Sequence, residues 1–446
     1  MPETPQAPAT QTQAPATSAD AQLVRAMGVP SLTANIVNST IGAGIFVLPA
    51  LVAKGLGAAA PLAFVICAVA MVLFVTCFAL AGSRVSLTGG LYAYVEVAFG
   101  RYVGFLGGVL YFLTAILAVA GVVNVFADSV AVIAPIFANR FGHVALTFSV
   151  FFVLVVINVG GVRAGAMAVS TVTVAKVVPL LIFVVAGLFF IKPAMLAWPG
   201  LPSSGALGDS VLLLIFAFVG VEVALIPSGE VRDPSRTVPR AIYLALGLTT
   251  VLYICIQLVA QGTLGPALAA NSISPLAESA ATFLGRLGRI LMLTGATISA
   301  FGFVTSDILS SPRILFAFGR DGVLPKVFAH VQPRFRSPDV ALVVYAVIAF
   351  LCSLTSSFEG LAVMSNVAVL LLYILCCAAA LVLMRRDVRS DGRPFTFPGA
   401  PVFPFLAILV IIWILAHASA KEFGVTGAVL VVGSLFYFFC ARRAKA

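Results

Sequence analysis

Three ionisable side chains lie inside long apolar stretches of the sequence, at Lys176, Glu222 and Asp307. A charge in such surroundings is costly unless it has a partner. Such residues typically belong to proton or ion pathways, or serve as the counter-ion of a ligand. Lys176 stands in the middle of its stretch, which favours a partner or a site over simple extension of its side chain to water. The three residues are therefore predicted to face a site or a partner.

Two segments contain residues that weaken a helix in its middle. In residues 35–49, Gly42 and Gly44 stand one residue apart and a proline follows; residues 216–230 contain Gly220 and a second proline. Glycine lowers helix stability and proline removes a backbone hydrogen bond, and unwound backbone inside a membrane is tolerated where it lines an enclosed cavity. The alternative is that the glycines only allow close helix packing, which better explains either segment taken alone.

The sequence lacks the common motifs of enzyme active sites and metal sites. The three histidines are scattered, and no HExxH, GxSxG or Walker A pattern occurs. The seven cysteines lie in apolar stretches without the spacing of metal ligands, which is typical of buried small side chains. The sequence thus predicts no catalytic residue, no metal site and no cofactor, and the chain is not expected to be an enzyme.

The composition indicates that lipid surrounds the protein. Hydrophobic residues make up 61% of the 446 residues and charged residues only 9%, whereas a soluble domain carries about 25% charged residues. The net charge of +10 comes from basic residues that stand singly in short connections. This pattern is typical of membrane topology and not of a nucleic-acid surface, so membrane lipid and no nucleic acid is expected as partner.

Twelve stretches are predicted to cross the membrane as helices, which defines an all-α integral membrane protein. Nineteen of the 26 Lys and Arg residues lie on one side of these stretches if both termini are cytoplasmic, and six lie on the other. This bias predicts cytoplasmic termini in the bacterial inner membrane. The predicted spans lie near 31–53, 60–83, 103–133, 144–160, 168–191, 208–228, 240–262, 288–318, 340–357, 360–384, 402–420 and 423–441.

The two weakened segments occupy equivalent places in two successive sets of five spans. Interruption of spans 1 and 6 is the pattern of inverted-repeat transporters that bind their ligand at the membrane midplane. The halves share no clear sequence identity, so the repeat is inferred from hydropathy and from the positions of the breaks. The predicted units are a disordered cytoplasmic tail, two repeats, two further helices and a short cytoplasmic tail, at 1–27, 28–192, 208–384, 402–441 and 442–446.

Four stretches of the sequence resemble the amino acid–polyamine–organocation (APC) superfamily of permeases. They lie at 41–46, 89–100, 220–240 and 310–325, and the stretch after span 6 is the most specific. The resemblance implies a LeuT-like fold of five plus five spans in inverted repeat, with spans 1 and 6 broken and two helices added. It also implies a secondary active transporter that moves an amino acid by alternating access.

The resemblance further implies which residues bind the substrate. Its carboxylate would meet the backbone N–H groups of Ala43 and Gly44, where a helix N-terminus favours an anion, and its ammonium would meet the carbonyl groups of Thr40, Phe216 and Val219. Phe216 would cover the site, Tyr111 and Glu222 would form the inner gate, and Asp307 would face the substrate side chain. The alternative for Asp307 is pairing with a neighbouring helix or with Lys176. The predicted binding residues are Thr40, Gly42, Ala43, Gly44, Phe216, Val219, Gly220 and Asp307.

Lys176 separates two modes of transport among the members that this chain resembles. Members that exchange arginine for agmatine lack this lysine and carry tryptophan in place of Phe216, whereas proton-driven symporters carry a lysine where sodium-coupled relatives hold sodium. Lys176 and Glu222 are therefore predicted to couple uptake to protons, without sodium. Lys176 would join spans 1 and 8 through carbonyl groups and the hydroxyls of Thr305 and Ser306. Exchange of an amino acid for an amine or polyamine is the alternative, and a cationic substrate stays open. A channel is less favoured because no ring of like charges is visible.

Overall fold

The computed structural model describes residues 27–85, 90–159, 163–198, 200–222, 231–332, 337–389 and 393–443, except for the side chains of 163–174 and 441–443. Of the predicted terminal tails, residues 1–26 and 444–446 lie outside the described residues. So do residues 223–230, the end of predicted span 6.

The described residues form fifteen α-helices joined by short connections and 3-10 turns, and no β-strand occurs among them. A helix lies in each of the twelve predicted windows. The helices are α1 Val29–Thr40, α2 Leu48–Leu56, α3 Ala60–Gly82, α4 Leu91–Phe99, α5 Arg101–Ile133, α6 Arg140–Val159, α7 Arg163–Gly187, α8 Ser204–Phe218, α9 Pro234–Leu264, α10 Pro275–Ser310, α11 Pro312–Arg320, α12 Asp339–Ser353, α13 Phe358–Arg385, α14 Val402–Leu415 and α15 Ala420–Arg443.

Several of these helices have the length and composition of membrane spans. Seven helical stretches in the described part of the chain are long and apolar enough to cross a bilayer, at Leu48–Gly82, Arg101–Ile133, Arg140–Val159, Pro234–Ala270, Pro275–Arg320, Phe358–Arg385 and Ala420–Cys440. The shorter helices α8, α12 and α14 and the second half of α7 are also apolar. Large apolar side chains such as Phe152 on α6 and Leu435 on α15 lie exposed on the outside. Lipid is the solvent in which such a surface is stable.

The helix α5 lies at the centre and packs against α10, α12 and α13. Most of its side chains between Gly104 and Ser129 are buried. The helix α7 packs along α10, and α9 packs against both α1 and α3. The ends of α1 and α8 are thus enclosed by α5, α7, α9 and α10.

The weakening glycines Gly42, Gly44 and Gly220 all lie outside regular α-helix. The helix α1 ends at Thr40, a 3-10 turn follows at Gly44–Phe46, and α2 begins at Leu48. The helix α8 ends at Phe218, and Gly220 has φ of +112° with the backbone of Ser39 directly against the place of a Cβ atom. Only glycine combines this backbone conformation with such a close approach.

The predicted window of span 8, near 288–318, contains parts of two helices. The helix α10 begins at Pro275, bends at Gly285 with φ of +60°, and ends at Ser310. The separate helix α11 begins at Pro312, because proline lacks the N–H group that would continue the helical hydrogen bonds.

Candidate functional site

Two adjoining cavities lie at the ends of α1 and α8. The larger, which we call the vestibule, has a volume of about 1020 Å³ including its open side, and its polar wall contains Tyr111, Lys176, Glu222 and Asp307. The smaller, which we call the inner cavity, has a volume of about 340 Å³. Ala118, Val219 and Phe303 line both cavities and therefore lie between them.

All the site residues predicted from the sequence line one of these cavities. The inner cavity is lined by Thr40, Gly42, Ala43, Gly44, Phe216 and Val219. The vestibule is lined by Tyr111, Lys176, Val219, Gly220, Glu222 and Asp307. Residues far apart in the sequence thus surround two adjoining cavities.

The inner cavity combines backbone N–H groups with an aromatic wall. Ala43 and Gly44 stand at the beginning of the 3-10 turn, where the first N–H groups of a helix have no partner within it. The ring of Phe216 lies against Gly44, so that a Cβ atom added there would be 3.0 Å from Cδ1 of the ring. Phe216 also packs edge-on against Phe358, with ring centroids 5.2 Å apart. This arrangement can accept an anionic group beneath an aromatic side chain.

The carbonyl of Thr40, predicted to be freed by the helix break, already has two donors within hydrogen-bond distance. The N–H of Gly42 donates to it at 2.9 Å, and the hydroxyl of Tyr253 lies 3.1 Å away. The same hydroxyl lies 3.0 Å from the carbonyl oxygen of Ala217. Sequence reasoning missed Tyr253 because nothing in its apolar surroundings on α9 distinguishes it from a core tyrosine.

Glu222 is a buried carboxyl with uneven hydrogen bonding. Its side chain is 2% exposed, and Oε2 accepts from the N–H of Gly220 at 3.1 Å and from the hydroxyl of Tyr373 at 2.8 Å. Oε1 has no hydrogen-bond partner among the described residues. Tyr111 lies within electrostatic range, but it is Tyr373, which the sequence did not suggest, that donates to the carboxyl. Oε1 is therefore the atom free to carry a proton.

Asp307 has two donors, one for each carboxyl oxygen. The hydroxyl of Ser311 donates to Oδ1 at 2.7 Å, and the hydroxyl of Tyr345 donates to Oδ2. No ion pair joins Asp307 to Lys176 within the described ranges. Two donors on two oxygens suit a carboxylate, because each oxygen acts as an acceptor. Asp307 thus presents a hydrogen-bonded carboxyl group to the vestibule.

Lys176 joins α7 to α1. Its ammonium donates to the carbonyl oxygen of Asn38 at 2.6 Å, and the side chain is 7% exposed. Among the described residues Lys176 makes no hydrogen bond to the hydroxyls on α10, and the hydroxyl of Thr305 donates to the carbonyl of Phe301 at 2.8 Å. Thr305 and Ser306 line the vestibule with Lys176 but are not bonded to it. The predicted connection to α10 is therefore wrong in its hydroxyl partners, while the connection to α1 is present.

Comparison with known proteins finds matches along almost the entire chain. Residues 27–441 match the sequence model of the family described as amino acid permease. The chain is 27% identical to the serine/threonine exchanger SteT of Bacillus subtilis over 431 residues, covering 92% of this chain and 95% of the relative. It is 25% identical to the branched-chain amino acid permease BcaP of the same organism, covering 96% and 95%. It is also 25% identical to the arginine/agmatine antiporter of Chlamydia pneumoniae, covering 94% and 91%.

Proposed function

The chain belongs to the amino acid permease family, a family of membrane transporters and not of enzymes, and from this premise we propose that it takes up an amino acid by alternating access, coupled to protons and independent of sodium. Amino acid transport is common to the family and its named relatives. The mode of coupling rests on one observation, the 2.6 Å hydrogen bond from Lys176 to the carbonyl of Asn38 beside the candidate site.

The proposed architecture is the LeuT-like inverted repeat of five plus five spans. In this arrangement α1 with α2 forms the broken span 1, and α8 forms the first half of the broken span 6. The repeats extend over 28–192 and 208–384, the helices of 402–441 complete twelve spans, and both termini are cytoplasmic. The support is that α1 and α8, with 12 and 15 residues, are both shorter than a membrane span and end at the same cavities.

The proposed binding mode places the substrate carboxylate at the N–H groups of Ala43 and Gly44. The partial positive charge of a helix N-terminus and unpaired N–H groups favour an anion there. The ammonium would lie towards the ends of α1 and α8, where the last carbonyl groups carry partial negative charge. Such a site recognises the backbone of any α-amino acid, so side-chain selection falls to the vestibule.

The proposed coupling uses the charge of Lys176. When protonated, its ammonium holds α7 to the last turn of α1 through Asn38. When the proton leaves, the neutral amine binds the carbonyl far less strongly, because charge-assisted hydrogen bonds are roughly twice as strong as neutral ones. Release of α1 would open the path past Glu222 and Tyr111. Glu222, with Oε1 unpaired, is the second proposed proton carrier.

Uptake into proteoliposomes tests the proposal. Purified protein would be offered radiolabelled serine, leucine, alanine, lysine and arginine, with and without an inward proton gradient and with and without sodium. We expect saturable accumulation that requires the proton gradient and does not depend on sodium. Non-saturable flux would indicate a channel instead, and failure to transport any of the amino acids would overturn the proposal.

Exchange is the second candidate function. It is favoured by two relatives whose names describe an exchanger and an antiporter. In that case, labelled amino acid would enter vesicles preloaded with unlabelled amino acid, agmatine or a polyamine even without a proton gradient. It would not enter vesicles that contain no exchangeable substrate. The same vesicles therefore separate exchange from proton-coupled uptake.

Asp307 is proposed to favour substrates with a positively charged side chain. Its carboxylate lines the vestibule beyond Phe303, one helical turn from the inner cavity. We expect Asp307→Asn to weaken competition by lysine and arginine by about tenfold or more while alanine and leucine change little, since a hydrogen bond between charged groups contributes about 1.5–3 kcal/mol. The measurement is inhibition of labelled uptake by each unlabelled amino acid.

Asp128→Asn is the matched control for this prediction. Asp128 is a carboxylate at the far end of α5, 46% exposed and 3.4 Å from His143, away from both cavities. Its replacement should leave the ranking of competitors as in the wild type. An unchanged ranking in Asp307→Asn as well would show that Asp307 does not select the side chain.

A further inference from the structure

The vestibule contains a basic and an acidic side chain that are not paired with each other. Lys176 on α7 and Asp307 on α10 both line it, and no ion pair joins them among the residues that the structure describes. An ionisable group inside a membrane protein is costly unless it has a partner. Both groups therefore border a cavity in which a ligand could supply the missing partner.

The ammonium group of Lys176 has hydrogen-bonding capacity to spare. It carries three N–H donors, and its bond in the described part of the chain goes to the carbonyl oxygen of Asn38 at 2.6 Å. The side chain is 7% exposed and yet lines the vestibule. An anionic oxygen in the vestibule would accept from the remaining N–H groups.

The carboxyl group of Asp307 is oriented by its neighbours and keeps acceptor positions for a ligand. Ser311 donates to Oδ1 at 2.7 Å, and Tyr345 donates to Oδ2. Because each carboxylate oxygen can accept about two hydrogen bonds, one position on each oxygen stays open. A cationic group beside Asp307 would also favour the ionised form of the carboxyl.

A zwitterion is the ligand that matches both groups at once. An anion alone would satisfy Lys176 and leave Asp307 without a partner, and a cation alone would do the reverse. An amino acid brings a carboxylate and an ammonium group without adding net charge, so it avoids the cost of an uncompensated ion in the cavity. The vestibule, at about 1020 Å³ with its open side, also exceeds the 340 Å³ of the inner cavity.

We propose that the vestibule is a second amino acid site, with the carboxylate of the ligand at Lys176 and its ammonium group at Asp307. This inference rests on the proposed function, in which the inner cavity is the first site. Phe303 borders both cavities, so a substrate that leaves the first site past this ring enters the second. The second site binds about a hundredfold more weakly, because water at its open side weakens the attraction between charges.

Equilibrium binding to purified, monodisperse protein tests the second site. Labelled alanine or leucine, whichever the wild type accumulates better, is titrated over a wide range of concentration, and the molecules bound per chain are counted. The wild type should bind in two steps and reach two molecules per chain. Lys176→Met and Asp307→Asn should each weaken the second step by about tenfold or more, because a hydrogen bond between charged groups is lost. The first step should remain, which shows that each variant is folded.

Lys54→Ala and Asp128→Asn are the matched controls, since neither residue lines a cavity, and both should keep the two steps. Saturation of the wild type at one molecule per chain, or no binding of either amino acid, would overturn the second site. So would a second step that persists in both variants or disappears in only one, because the vestibule would then not bind a zwitterion through both groups. Should Lys176→Met not fold, Asp307→Asn decides alone. Failure of the wild type to transport any amino acid would overturn the proposed function, which is a distinct result.

Discussion

Gly44→Val is expected to abolish amino acid binding while the protein still folds and inserts. A Cβ atom at this position would be 3.0 Å from Cδ1 of Phe216 and 3.3 Å from Cδ1 of Leu48, and valine adds two further methyl groups. These atoms would occupy the end of the inner cavity at which the substrate carboxylate is proposed to bind. We expect affinity to fall by more than about a hundredfold, because tight overpacking and loss of backbone contacts act together.

Folding should survive this substitution because Gly44 does not have a positive φ and the nearby atoms belong to side chains that can shift. Gly247→Val is the control, since Gly247 lies on α9 with no atom within 4 Å of the added Cβ. Binding would be measured with radiolabelled amino acid on purified, monodisperse protein. Wild-type affinity in Gly44→Val would refute the carboxylate site at this turn.

Lys176→Ala should leave substrate binding measurable but stop accumulation. Loss of the ammonium removes the 2.6 Å hydrogen bond that connects α7 to α1, together with the proposed proton carrier. In the wild type, uptake should rise as the external pH falls below the internal pH, because protons then enter with the substrate. In the variant, the pH profile should be flat, and the accumulation ratio should fall by about tenfold or more, given the strength of charge-assisted hydrogen bonds.

Lys54→Ala provides the comparison, because Lys54 is an exposed lysine in the last turn of α2, and its loss should not alter the pH profile. If Lys176 had only a structural role, its replacement would yield unstable protein with the pH dependence of the wild type. A wild type that requires sodium, or that accumulates substrate equally with and without a proton gradient, would contradict the mechanism and favour exchange.

The positions of the helices could be predicted because their signals are local. Apolar stretches determine where helices lie, and the glycines around residues 42 and 220 mark backbone that the structure shows outside regular helix. The bend at Gly285, which lies before the predicted start of span 8, and the new helix from Pro312, which lies inside that window, were not predicted because hydropathy does not mark helix breaks. Glycine and proline residues inside an apolar stretch therefore indicate where a helix is interrupted, which the hydropathy of the stretch does not.

The partners of the polar side chains could not be predicted from the sequence. Tyr253, Tyr345 and Tyr373 are three of nine tyrosines and stand in apolar spans without a motif. Only the packing of α9, α12 and α13 brings their hydroxyls to helix ends and carboxyl groups. The same holds for Lys176, whose central position indicated a partner but not which one. Long-range hydrogen bonds depend on tertiary structure, which a local pattern does not contain.

Phe303 is the half-buried ring that lines both cavities, and its rotation can be compared with the movement of the helices around it. Accessible side chains change rotamer in picoseconds to nanoseconds, whereas packed helices rearrange in microseconds to milliseconds. Because the ring borders a cavity on each side, we expect it to change rotamer many times during the lifetime of one arrangement of α1 and α7. Molecules able to pass it would equilibrate between the cavities long before the helices move. The duration of a transport cycle would then depend on helix movement and not on the ring.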